Sequence, residues 1–159
     1  MRKAQFFSAE SIINIVLFTA IFSFLIFAIN NKTKQFIEST ETDYLIVKSN
    51  NVINLLTQTP GYPINWNKSN FTDLGLSNYY KIINPEKLSN FIYLLNNNNS
   101  LVLESFSIEN NALYFSIEYL NGSTIASYKP SKDYKNVLIT KRKVLYNNLP
   151  AIIKVGVMN

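Results

Sequence analysis

The hydrophobic pattern begins with a block that keeps no period. Residues 12–29 read IINIVLFTAIFSFLIFAI, interrupted only by Asn14, Thr19 and Ser23, and no charged residue occurs from 11 to 31. As a helix the run is about 27 Å long, close to the ~30 Å hydrocarbon core of a bilayer. A helix buried in a soluble core usually keeps a polar stripe, whereas here apolar residues occupy every face. The run therefore predicts a membrane-crossing helix over 12–29. A cleaved secretory signal would have a shorter apolar core and a small-x-small site behind it. The exit instead reads Ile26, Phe27, Ala28, Ile29, Asn30.

Beyond Asn30 the period becomes that of an amphipathic helix. Ile37, Tyr44, Leu45, Val52, Leu55 and Leu56 recur at three-, four- and seven-residue steps, with Lys34, Glu38, Glu41 and Lys48 between them. This predicts a helical rod over 30–58, stopped by Pro60, Gly61 and Pro63. Residues 61–83 read as loop, with Trp66, Leu74 and Leu76 available to enter a core. A short helix follows: Asn84 as N-cap, Pro85 at the first position, Glu86 in the first turn, and Leu88, Phe91, Ile92 and Leu95 on one face. The asparagine tract at 96–99 ends it and reads as a solvated loop.

From Leu101 the period is two. Strands are expected over 102–108, 112–120, 124–128, 137–146 and 152–157, with Asn121-Gly122 as the hairpin signal before the third. The fold class is then α+β. A long N-terminal helix packs its amphipathic part on one face of a five-stranded antiparallel meander, with one short extra helix. The domain organisation is residues 1–11 as a short leader and helix start, 12–29 as the membrane helix, 30–58 as its amphipathic continuation, and 59–159 as the head.

Composition narrows the chemistry. The 159 residues are 47% hydrophobic and only 16% charged, too apolar for a disordered chain. There is no His and no Cys, which removes disulfides, thiol nucleophiles, Cys/His zinc sites and imidazole acid–base chemistry. The carboxylates are scattered, and Gly61, Gly75, Gly122 and Gly156 form no phosphate-binding loop. No enzymatic activity, cofactor, metal or small-molecule substrate is expected. The formal charge is +5, and the chain beyond Asn30 carries 13 Lys and Arg against 9 Asp and Glu. Lys141, Arg142 and Lys143 are the sharpest basic cluster, with tyrosines at 128, 134 and 146 nearby. Such interleaving can meet an anionic surface. On a strand, however, Lys141 and Lys143 share one face and Arg142 takes the other, which suits a solvated face or a guarded edge. Nucleic acid is therefore not among the expected partners.

Flanking charge nearly ties the orientation, with Arg2 and Lys3 before the apolar run and Lys32 and Lys34 after it. Five Asn-x-Ser/Thr sequons lie beyond the run, at Asn31, Asn67, Asn70, Asn98 and Asn121. On an exported face they are candidate glycosylation sites. A chain with 23 Asn also produces sequons by chance.

The residues Arg2-Lys3-Ala4-Gln5-Phe6-Phe7-Ser8-Ala9-Glu10 resemble the class III signal peptide of archaeal type IV pilin-like proteins. Two further stretches carry the same likeness. One is Thr59-Pro60-Gly61-Tyr62-Pro63-Ile64-Asn65-Trp66 with Leu74-Gly75-Leu76 and Pro85-Glu86-Lys87-Leu88. The other is Lys143-Val144-Leu145-Tyr146-Asn147-Asn148-Leu149-Pro150-Ala151 with Val155-Gly156-Val157. The resemblance implies cleavage between Ala4 and Gln5 by a prepilin peptidase. It also implies a cytoplasmic N-terminus, an extracellular head, and partners that are membrane lipid, copies of the chain or other pilin-like subunits. In such an assembly Glu10 would meet the new N-terminal ammonium of a neighbour, offsetting the cost of a carboxylate at membrane depth. The plainer reading makes Glu10 the first-turn acid of a helix capped by Ser8.

Overall fold

A computed structural model describes residues 9–131, 134 and 137–159. The chain divides into two units, Met1–Glu41 and Thr42–Asn159. Helix α1, Ala9–Gln58, supplies the first unit and opens the second.

In the first unit the large apolar side chains of residues 12–29 are all exposed. One hydroxyl in the run and one after it turn back on the backbone, Thr19 donating to the Ile15 carbonyl at 2.8 Å and Thr33 to that of Ile29 at 2.9 Å. That bonding satisfies a hydroxyl without water, which suits an apolar solvent.

In the second unit α1 buries Leu45, Ser49, Val52, Ile53, Leu56 and Thr57. Their spacing of four, three, one, three and one is one face of a helix. This corrects the expected stripe. Ile37, Tyr44 and Leu55 are exposed, while Ser49, Ile53 and Thr57 take inward positions. The phase within this unit is set by what faces the sheet, so the hydroxyl residues Ser49 and Thr57 on that face go inside and the large apolar residues Tyr44 and Leu55 off it do not.

The remaining elements are β1 (Ser77–Tyr79), β2 (Ile82–Ile83), α2 (Pro85–Asn97), α3 (Asn99–Ser105), β3 (Ala112–Tyr119), β4 (Thr124–Tyr128), β5 (Val137–Tyr146) and β6 (Leu149–Met158). The fold is α+β, but the sheet has six strands in the order β1-β2-β5-β6-β3-β4. It is mixed, because β2 runs parallel to β5 while the other pairs are antiparallel. The expected five-stranded meander is therefore wrong in count and order. The C-terminal strand β6 enters between β5 and β3, and its Ala151, Ile153, Val155 and Val157 are fully buried. A strand this apolar on its inner face belongs at the centre of the sheet, where both edges are paired.

Two local readings also change. Residues 102–108 do not form a strand, because α3 covers the start of that stretch. Val102 and Phe106, buried and four apart, are helically spaced. The 96–99 tract is mostly helical, with the Asn96 and Asn97 amides donating to the carbonyls of Ile92 and Tyr93 at 2.9 and 2.8 Å. Asn98 joins α2 to α3. The start of α2 is as expected: Asn84 accepts from the backbone N–H groups of Glu86 and Lys87 at 2.8 and 3.1 Å, with Pro85 following it.

The core closes between the inner sheet face, the end of α1 and α2. Phe91 of α2 meets Phe115 of β3 edge-on at 5.1 Å between ring centroids. Trp66 is buried and donates its indole N–H to the Gly75 carbonyl at 2.8 Å, with Phe71 against its ring. Gly61, at φ +75°, lies so close to the indole that a Cβ there would stand 2.7 Å from it.

Candidate functional site

The feature that most restricts function is α1. It is the one helix among the described residues long and apolar enough to cross a membrane, and none of its most apolar stretch is buried within the protein. Phe18 and Phe22, one turn apart, stack at 6.0 Å on its surface. Ala4 and Gln5 lie outside the described residues, as does the side chain of Glu10. The backbone of Glu10 is within α1.

The sequons are all on exposed asparagines. Asn31 sits within α1. Asn67 and Asn70 face each other across an isolated bridge, and the Asn67 side chain accepts from the backbone N–H groups of Ser69 and Asn70 at 2.9 and 3.1 Å. Asn98 is the joint between two helices. Asn121 forms the β3–β4 turn with Gly122, which has φ +89°, and accepts from the Ser123 backbone at 3.0 Å. Turn chemistry explains Asn67 and Asn121, whose side chains accept backbone N–H groups of the turns they close.

The basic cluster lies on β5. Lys141 and Lys143 point to the outer face and are exposed, while Arg142 faces inward, half-buried, and donates to the Asn54 side chain of α1. β5 meets β2 only at Leu145 and Tyr146, so among the described residues its 137–144 stretch has no strand partner on the side away from β6. The lysines thus stand on a solvated face and beside an open edge, which is where charges discourage edge-to-edge pairing.

Sequence reading missed the neighbour that completes this face. Lys154 of β6 is the register partner of Lys141 and is bonded to Glu118 of β3 at 2.5 Å. Glu118 is held below its usual carboxylate range, first by the hydrogen bond from Lys154 and then by that from Ser116. The only sequence signal was parity: on neighbouring strands Lys154, Glu118 and Lys141 all fall on outward positions, but this is visible only once the register is known.

Lys87 is a second unforeseen group. Its side chain is buried and its Nζ donates to the Pro60 carbonyl at 2.7 Å. Burial pushes this ammonium below its ordinary value of 10.5. The contact ties α2 to the turn that ends α1. Among the described residues, no three His, Cys, Asp or Glu side chains form a group able to hold a metal ion. A cleft of about 330 Å³ beside that turn has Asp73 as its only charged lining residue among those described.

Comparison of the chain with protein-family models, with curated proteins and with solved structures gives no match.

Proposed function

We propose that the chain is a pilin-like structural protein of the cell surface, held by residues 12–29 in the membrane with its N-terminus cytoplasmic and its α+β head outside. After removal of the leader by a prepilin peptidase, its helix packs with copies of itself or other pilin-like subunits into a pilus-like, secretion or adhesion assembly. The role is that of a scaffold, not a catalyst.

The observation that carries the reading is that α1 does two jobs. Residues 12–29 expose apolar side chains on every face, and the last turns of the same helix fill the core of the head. A helix with no burial of its own needs lipid or other helices around it. The leader resemblance supports the pilin-like form of that requirement, and Glu10 at the edge of the apolar run is the group that would pair with a neighbour's N-terminal ammonium.

N-terminal sequencing and intact mass of the native protein test this reading. It expects Gln5 as the first residue. A chain starting at Met1 or Arg2 overturns the pilin-like form and leaves a permanently anchored single-pass head that does not polymerise. Glu10→Gln should impair assembly and leave insertion unchanged.

A further inference from the structure

The five sequons differ in what their local structure leaves free. A transferase that recognises Asn-x-Ser/Thr must meet the asparagine amide and the hydroxyl residue together, because the motif is defined by both. In an α-helix those two positions stand about 200° apart. Asn31 and Thr33 therefore point to opposite sides of α1, and the Thr33 hydroxyl is bonded to the Ile29 carbonyl. Asn98 is held through its backbone at the joint of α2 and α3: its N–H donates to the Leu94 carbonyl at 2.7 Å, its carbonyl accepts from Leu101 at 3.1 Å, and Ser100 is helical. Asn70 is tied to Asn67 through both backbone groups, and Phe71, between it and Thr72, packs against Trp66. Asn67 shares that bridge, and its amide oxygen takes the backbone N–H groups of Ser69 and Asn70, not the Ser69 hydroxyl.

Asn121 is arranged differently. Its amide oxygen accepts both the Ser123 backbone N–H at 3.0 Å and the Ser123 hydroxyl at 2.5 Å. The amide and the hydroxyl thus stand together on one side of the turn, and among the described residues Nδ2 has no hydrogen-bond partner. Residues 121–123 are all exposed, and a Cβ on Gly122 would meet no atom within 4 Å. The Gly122 N–H donates to the Tyr119 carbonyl at 3.0 Å and the Tyr119 N–H to the Ser123 carbonyl at 2.9 Å, which fixes the turn on the ends of β3 and β4. The whole motif is therefore presented by the folded head with open space around it.

We propose that Asn121 is the N-glycosylation site of the folded head. The transfer joins Asn121 Nδ2 to the anomeric carbon of a lipid-linked glycosyl diphosphate. The anomeric C–O bond breaks, the lipid diphosphate leaves with the electron pair, and a base of the transferase takes the Nδ2 proton. Two donors on the amide oxygen favour the deprotonated amide that attacks. The inference rests on the reading that the head lies outside, where it meets the glycan donor.

The test is mass spectrometry of the full chain purified from its native membranes. Proteolysis after Glu118 separates Asn121 from the other four sequons. The fragment beginning at Tyr119 should carry a glycan mass increment on Asn121. The increment should vanish in Asn121→Gln and in Ser123→Ala and persist in Ser123→Thr, with all three folded by circular dichroism. Orientation is read independently. The chain has no cysteine, so Asn110→Cys, at an exposed position, reports the side of the head by labelling intact cells with a membrane-impermeant maleimide. A labelled cysteine with Asn121 unmodified overturns the inference and leaves the exported head standing. A glycan on Asn31 or Asn98 at an occupancy equal to that of Asn121 also overturns it, since transfer then does not read the folded geometry. An unlabelled cysteine with an unmodified chain overturns both the inference and the exported-head reading.

Discussion

The Ser49 hydroxyl accepts the backbone N–H of Val157 at 3.0 Å, joining α1 to the central strand inside the core. The same hydroxyl lies 3.5 Å from the Leu138 carbonyl of β5. One serine on the helix thus reaches two neighbouring strands, which explains why a polar residue holds a fully buried position. Ser49→Ala removes the acceptor and leaves a buried N–H without it. The expected loss is about 1–3 kcal/mol in urea unfolding. A change within error would mean that Val157 finds another acceptor.

Lys87 gives a pH signature with a definite sign. Its folded pKa lies below the unfolded value of 10.5, so in the interval between them the unfolded chain binds the extra proton. Stability from this group therefore rises as pH increases through that interval and is lowest below it. Lys87→Met removes the titration while keeping the buried stem. Urea unfolding of both proteins across the alkaline range should show the wild type gaining on the variant as pH approaches 10.5. Parallel curves would show that the ammonium is as well solvated in the fold as outside it.

Gly75 has no room for a side chain: a Cβ would collide with the Thr59 carbonyl and stand 2.5 Å from the Gly61 nitrogen. The backbone here approaches the end of α1 so that the Gly75 carbonyl can receive the Trp66 indole. Gly75→Ala should destabilise by roughly 1–3 kcal/mol, as overpacking does, and shift the fluorescence of the single tryptophan toward that of an exposed indole. An unaltered emission maximum with unaltered stability would mean the turn relaxes freely.

Local chemistry was legible in the sequence and long-range pairing was not. Asn84 with Pro85 marked the start of α2, and the bounds of β4 and β5 follow from alternation and turn residues alone. The β5–β6 hairpin was written too, in Asn147-Asn148, whose φ of 50° and 62° suit a two-residue turn between strands. Reading β6 only from 152 passed over it. β1 and β2, with three and two residues, carry too little pattern to stand out and depend on their neighbours for existence. The insertion of β6 between β5 and β3 depends on pairings far apart in sequence, which periodicity cannot rank. The same holds for the Lys154–Glu118 bond and the inward turn of Ser49. Of the candidate functional features, the apolar run was readable because it needs no partner in the chain to be recognised.

That run also supplies the most direct test of where the chain resides. Ile21 lies near its middle and is exposed on α1. Arginine at the centre of a membrane helix raises the apparent insertion free energy by about 2.5–3.5 kcal/mol, and at an exposed position it removes no buried side chain. Ile21→Arg should therefore shift the protein from carbonate-washed membranes toward the soluble fraction. The Trp66 emission of the released protein should stay that of a buried indole, reporting an intact head. Full retention in the membrane with arginine at 21 would mean that residues 12–29 are not the anchor. A shift in Trp66 emission would mean that the head needs the first unit in order to fold.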